Sequence, residues 1–243
     1  NWLREMTTPL EENPTALGSE PWSYTWRRED GFITRYCALI GMNDPLVHFL
    51  GNYDRLNLLT NKWTEIPHKE IDTGAYILTT FDKRGIPTIG ANGTIFRKDY
   101  IKKYENLDYL FDIDLLKQQI DETGSVDFIK VKNGIIHLYC GNSISKFIRK
   151  QNRRVTDFLY YRKSSKRSYS WETFDNKKLV KFCLYTLLIL PVLFQSLVGY
   201  SRKPDLAWFF HPLACGITLV VYGTGVLKSY FVNKELDRAN WSQ

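Results

Sequence analysis

Cysteine is scarce in this chain and forms no pattern. Cys37, Cys140, Cys183 and Cys215 stand far apart, and no CxxC or mixed Cys/His ligand spacing occurs. Neither a structural zinc site nor a disulfide scaffold is supported. Internal repeats and low-complexity tracts are also missing, which leaves no sign of a solenoid or a long linker. The chain opens on NWLREM rather than on Met, and the expectation is the later part of a longer protein. Acid is the other scarce component, and only locally. Between residues 146 and 181 twelve Lys/Arg face three acids, Asp157, Glu172 and Asp175.

Two long stretches carry no Asp, Glu, Lys or Arg at all. FCLYTLLILPVLFQSLVGY (182–200) is followed by LAWFFHPLACGITLVVYGTGVL (206–227), in which His211 is the sole ionisable side chain of the acid–base type that titrates near neutrality. About 20 apolar residues cross a bilayer core as a helix, so the pair predicts a transmembrane helical hairpin. Its prolines and glycines are tolerated in membrane helices. The basic block before the first run, with Lys228, Lys234 and Arg238 after the second, predicts a cytoplasmic location for both flanks. The linker SRKPD (201–205) would then lie on the far side. In all, 243 residues with 44% hydrophobic content and a net charge of +7 are enough to bury a core. The expected division is 1–140 folded, 141–178 basic and interfacial, 179–231 transmembrane and 232–243 a cytoplasmic tail.

Along residues 1–140, strand and helix patterns alternate, which predicts a mixed α/β unit. ALGSEPWSYTW (16–26) reads as a strand, DGFITRYCALIG (30–41) as a short helix, and Asn43-Asp44-Pro45 as a turn with a fresh helix start. NKWTEIPHKEID (61–72) reads as loop and AYILTTF (75–81) as a strand. VDFIKVK (126–132) and GIIHLYC (134–140) read as a strand pair closed by the tight-turn dipeptide Asn133-Gly134. Trp22, Tyr24 and Trp26 read as packing. From residue 143, Ile144, Phe147, Ile148, Val155, Phe158 and Leu159 recur at helical spacing among lysines and arginines, the pattern of an amphipathic helix on anionic headgroups. Nucleic acid is the other reading of such a block. The neighbouring apolar runs favour lipid, and no nucleic-acid partner is expected.

In YLFDIDLLKQQID (109–121), Asp112 and Asp114 stand at a helix start, where carboxylates serve as caps. They can equally present a fixed, ionised base. Three motifs occur in order: the glycine turn IGANG (89–93), FDIDL (111–115) and KQNRRV (150–155). That order resembles the C-terminal half of membrane-attached family 2 glycosyltransferases of GT-A fold. Those enzymes have a Gly/Asn-rich turn, a Glu-Asp-x-Asp-Leu-like motif and a Gln-x-x-Arg-Trp motif near the membrane. The resemblance covers about residues 1–160. Phe111 stands in place of the usual Glu and Val155 in place of the Trp.

The resemblance implies an inverting transferase that moves a sugar from a nucleotide-sugar donor to a membrane-linked acceptor. A polyprenyl-phosphate carrier, a lipid-linked glycan or a growing polysaccharide would fit. Asp112 matches the family's base, and Asp114 orients neighbours or caps the helix. Gly90, Ala91, Asn92 and Gly93 form the turn that approaches substrate. Gln151, Arg153 and Arg154 meet the diphosphate or the acceptor, and Glu20 is expected to face the acceptor. His137 is the candidate ligand of a Mg²⁺ or Mn²⁺ ion that the family implies. The strands carrying the family's nucleotide site and its Asp-x-Asp have no counterpart in this sequence, which predicts weak sugar-nucleotide binding by this segment alone. The competing expectation is a non-catalytic membrane scaffold that binds anionic lipid or a partner protein.

Overall fold

The computed structural model describes residues 1–90, 92–102, 112–164 and 175–231. Five strands make one mixed sheet in the order β2-β3-β5-β1-β4. They are β1 (Ala16–Thr25), β2 (Lys69–Asp72), β3 (Tyr76–Asp82), β4 (Ile95–Phe96) and β5 (Ser125–Ile136). Only the central pair, β1 and β5, runs parallel; every other pairing is antiparallel. Helix α1 (Trp2–Glu12) covers one face, where Met6 and Leu10 meet Ala16, Ile129 and Val131. After α2 (Phe32–Ile40), α3 (Pro45–Leu50) and α4 (Lys98–Lys102), helix α5 (Asp112–Thr123) covers the other face. There Ile113, Leu116 and Ile120 pack with Leu17, Phe81, Phe128 and Ile89.

Two local expectations change. The stretch read as loop at 61–72 ends in β2, which pairs with β3 from Lys69↔Thr80 to Asp72↔Ile77. All four β2 residues are exposed. A charged edge strand has no buried face, so it leaves no apolar alternation to read. The expected hairpin at Asn133-Gly134 does not form, because β5 runs straight through both residues. A two-residue hairpin turn of this kind needs positive φ, and Gly134 is not among the glycines that adopt it. Its value here is closeness, since a Cβ would come within 2.3 Å of Thr25 Cγ2. The register slips between Pro21↔Val131 and Ser23↔Gly134. Pro21 has no N–H to give to a ladder, and prolines inside sheets collect at such irregularities.

Beneath the sheet's C-terminal half lies a cluster of buried charges. Glu20 on β1, Lys130 on β5, and Asp54 and Arg55 on the 51–58 segment are all buried. Glu20 accepts from Lys130 Nζ at 2.6 Å and from Arg55 Nη1, while Arg55 Nη1 also reaches Asp54 at 2.7 Å. Burial pushes the Lys130 ammonium down to about 8, against the pull of Glu20. It holds the Asp54 carboxyl up at about 6, against the pull of Arg55.

A helical layer follows: α6 (Ile144–Ser164), α7 (Asn176–Leu188), α8 (Leu190–Arg202), a 3₁₀ turn (Leu206–Phe210) and α9 (His211–Ser229). Its seam with the sheet domain is the cluster of Tyr36, Leu39 and Ile40 from α2 with Phe147, Trp208, Phe210 and Ala214. Among the described residues one helix, Leu206–Ser229, is by itself long and apolar enough to cross a membrane. The other run breaks into α7 and α8, bent by 92°. Pro191 explains the break, because it has no N–H and its ring clashes with the carbonyl one turn earlier. Ile189 sits at the corner with φ 61, and α8 restarts with the proline in its first turn.

The linker 201–205 does not lie on a far side. Asp205 pairs with Arg35 of α2 at 3.1 Å, and Trp208 is buried in the seam. At the other end of α9, a Cβ on Gly225 would lie 2.8 Å from Val155 of α6. Of the apolar residues expected to line one face of α6, Phe147 and Val155 are buried against the protein, Phe158 and Leu159 are half-buried, and Ile144 and Ile148 stay exposed.

Glu20→Gln is expected to lower stability by about 3–5 kcal/mol, since it leaves two cations buried with a weaker partner. Chemical denaturation reads this directly. An unchanged midpoint would mean that Arg55 and Lys130 reach water.

Candidate functional site

The C-terminal end of β5 carries a row of rings. Tyr24 stacks on His137 with centroids 5.4 Å apart, and His137 lies 5.8 Å from Tyr139. Cations border the row along its length. Arg55 Cζ is 5.4 Å from the Tyr24 centroid, and Lys150 Nζ is 4.1 Å from that of Tyr139, donating also to the Tyr139 carbonyl at 2.6 Å. The Tyr139 hydroxyl and Arg55 Nε are buried and have no hydrogen-bond partner among the described residues.

The glycine turn closes one end of this row. Asn92 Nδ2 donates to the Tyr24 hydroxyl at 3.3 Å, and its carbonyl accepts from Arg55 Nη2 at 3.1 Å. Gly93 has φ +76, and a Cβ there would strike Ile135 Cδ1 at 2.7 Å. Only glycine takes this backbone without strain. The Gly90 carbonyl accepts from Thr94 Oγ1. Ala91 lies outside the described residues.

Helix α6 closes the other end. Gln151 is fully buried and donates to the Asn43 carbonyl at 2.7 Å. Its Oε1 accepts from Arg154 Nη1 at 3.2 Å and from the Tyr222 hydroxyl at 3.1 Å. Arg154 also reaches Asp44 at 3.5 Å, and 39% of its side chain stays exposed. The Tyr222 hydroxyl lies against Asp44 as well, so its one proton is shared between the carboxylate and Gln151 Oε1. Gln151 is thus a clamp that sets Arg154 and cannot itself meet a ligand. Arg153 lies half-buried beside it.

Glu20 departs most from its expected place. It is fully buried behind Arg55 and faces no acceptor. Asp112 is the first residue of α5, and its side chain lies outside the described ones; Phe111 before it is likewise outside. Asp114 is half-buried on the same helix. Ile89, next to the glycine turn, and Ile113, next to Asp112, belong to one apolar cluster. The turn and the start of α5 are therefore set by the same core.

His137 does not suit a divalent ion. Burial, followed by the nearby charges of Lys150, Arg55 and Arg154, pushes its imidazole down to about 4. The neutral ring has the protonation state of a ligand, but its charged neighbours repel a cation. Among the described residues no three His, Cys, Asp or Glu side chains come together to hold a metal. The same cationic surroundings suit a phosphate or diphosphate.

Sequence reasoning singled out the turn, Gln151 and Arg154. It missed Arg55, Tyr139, Lys150 and Asp44, while its reading of Tyr24 as packing agrees with a buried ring. Lys150 carried a signal, since it adjoins Gln151 in KQNRRV. Arg55 carried none, because its role comes from burial beside a residue 35 positions away. No family model, curated protein or solved structure matches the chain.

His137 is expected to titrate well below the ordinary imidazole value of 6.5, near 4, in a histidine-resolved NMR titration. A midpoint near 6.5 would mean that the ring is hydrated and not buried beside the three cations. His48 is likewise buried and lowered to about 4. For both, the unfolded chain takes up protons first as pH falls. Their contribution to stability is complete above pH 6.5 and is lost on acidification from 6.5 towards 4.

Proposed function

We propose that the protein is an inverting glycosyltransferase that carries a sugar from a nucleotide-sugar donor to a membrane-linked acceptor at the cytoplasmic face. The observation that carries this reading is the cationic face made by half-buried Lys150 and the 39%-exposed Arg154 beside half-buried His137, with the glycine turn at the far end of the ring row. Tyr24, Tyr139 and Arg55 are buried and support these groups from within. Guanidinium and ammonium groups so placed suit a diphosphate.

In the proposed reaction, an acceptor hydroxyl oxygen attacks the anomeric carbon while the bond from that carbon to the diphosphate oxygen breaks. The hydroxyl proton passes to the Asp112 carboxylate. The electron pair leaves on the diphosphate, whose growing charge Lys150 and Arg154 offset. Gln151 holds Arg154 in place, and Glu20 positions Arg55 from behind. Asn92 offers a side-chain amide at the end of the row, and Gly90 and Gly93 let the backbone approach closely. The family resemblance supports Asp112 as base through its place at the head of α5.

The test uses the intact protein in native membranes, supplied with labelled UDP- and GDP-sugars. Label is expected to enter a lipid-extractable or polymeric product. Asp112→Asn is expected to reduce turnover by about 10²–10⁴-fold, the usual contribution of a general base, with the thermal midpoint unchanged. A folded protein that transfers label from none of the donors would instead be a scaffold, with Asp112 a helix cap.

A further inference from the structure

The run 182–200 is apolar, yet the chain turns back in its middle. The outer ends of the two arms are tied to one short segment of the sheet domain. On α7, Lys178 Nζ donates to the Leu50 carbonyl at 2.8 Å; on α8, Arg202 Nη1 donates to the Leu59 carbonyl at 2.6 Å. A helix pair that crossed a bilayer between these two points could not bring both back to the same face.

The elbow itself is bare. Leu187, Leu188, Ile189, Leu190 and Phe194 are 60–74% exposed. Its polar side chains turn inward: Thr186 and Ser196 are buried, and Gln195 bonds His48 and His211. The corner residue itself has both backbone groups paired: Ile189 N–H donates to Thr186 O at 3.3 Å and Ile189 O accepts from Leu193 N–H at 2.9 Å. Hydrocarbon demands this of any backbone placed in it, and water does not.

Arm length agrees. Each arm has 13 residues, or about 20 Å of helix. Bent at 92° and set symmetrically about the membrane normal, such arms reach a depth of about 14 Å. Lys181 is the sixth residue of the first arm, so the seven residues beyond it, about 10 Å of helix, carry the tip about 7 Å below the lysines, inside one leaflet of a hydrocarbon core about 30 Å thick. Charge marks the shallow ends. Lys177, Lys178 and Lys181 lie in the first half of α7, with Arg202 and Lys203 at the end of the second arm. Of the acids near these ends, Asp175 caps α7 and Asp205 pairs with Arg35, while Glu65 lies beside Lys178 and Lys181 and offsets part of their charge. Such a cationic collar complements anionic headgroups.

We propose that the α7–α8 elbow is a re-entrant anchor, inserted into one leaflet of an anionic bilayer, with both of its ends on the side of the sheet domain. The inference shares only the membrane with the proposed function, and it stands or falls without any sugar transfer.

The full chain is reconstituted into sealed vesicles of phosphatidylcholine and phosphatidylglycerol, in a Cys183→Ser background where the other three thiols are buried. Asn176→Cys and Ser201→Cys are introduced together, both at exposed positions. After treatment with a membrane-impermeant maleimide, mass spectrometry counts adducts per molecule. A re-entrant elbow gives two adducts or none, according to which way each molecule faces. One adduct on every molecule would show a crossing and overturn the proposal. In a second variant, Leu188→Cys carries a fluorophore. Quenching by lipids brominated deep in the acyl chain is expected, at least twofold over lipids brominated near the headgroup. Quenching by aqueous iodide would overturn the anchor. So would a doubled particle mass with the fluorophore shielded from both quenchers, because a second copy of the chain would then cover the elbow.

Discussion

Four charged side chains with almost no access to water govern the layout of the sheet domain. Glu20, Lys130, Arg55 and Asp54 come from two neighbouring strands and the segment that crosses behind them. None is tolerable there alone, so each element must be in register for the others to be neutralised. The arrangement fixes more than the core. Arg55 extends through it to the Asn92 carbonyl and the Tyr24 ring, so a buried ion network sets the position of the surface turn that borders the ring row. The rigidity that such a site needs comes from below.

What the sequence disclosed follows from the range of the interactions involved. β1, β3, α2, α3 and α5 were legible because alternation, helical spacing and the Asn-Asp-Pro start are local signals. β2 was not, since an exposed charged edge has no apolar code. Asn133-Gly134 misled because a favoured turn pair was overridden by tertiary pairing with β1, where Gly134 serves close packing beside Thr25. Composition revealed the apolar runs but not their path. Pro191 was tolerable in a membrane helix on general grounds, yet it also marked the corner. For the site, motifs pointed to the turn and to Arg154. The buried partners that hold these groups, Arg55 and Tyr139 above all, are joined to them only in three dimensions.

The helical layer is bound to the site and is more than an appended anchor. Tyr222 on α9 touches both Asp44 at the head of α3 and Gln151 on α6, and Gln151 in turn holds Arg154. A displacement of α9 therefore reaches the guanidinium through two hydrogen bonds. The apolar helix and the site geometry are linked by this one phenol.

The parallel pairing of β1 with β5 also bears on how the chain is made. Glu20 and Lys130, partners in the core, are separated by 110 positions, and β4, the other neighbour of β1, is only two residues long. During synthesis β1 thus leaves the ribosome long before its main partner. Its apolar residues and a carboxylate destined for burial must wait through the translation of everything between. Unpaired strands of this kind invite misassociation. Closure of the domain is therefore a late event, set by the arrival of β5, and a nascent chain halted before that point has every reason to engage a chaperone.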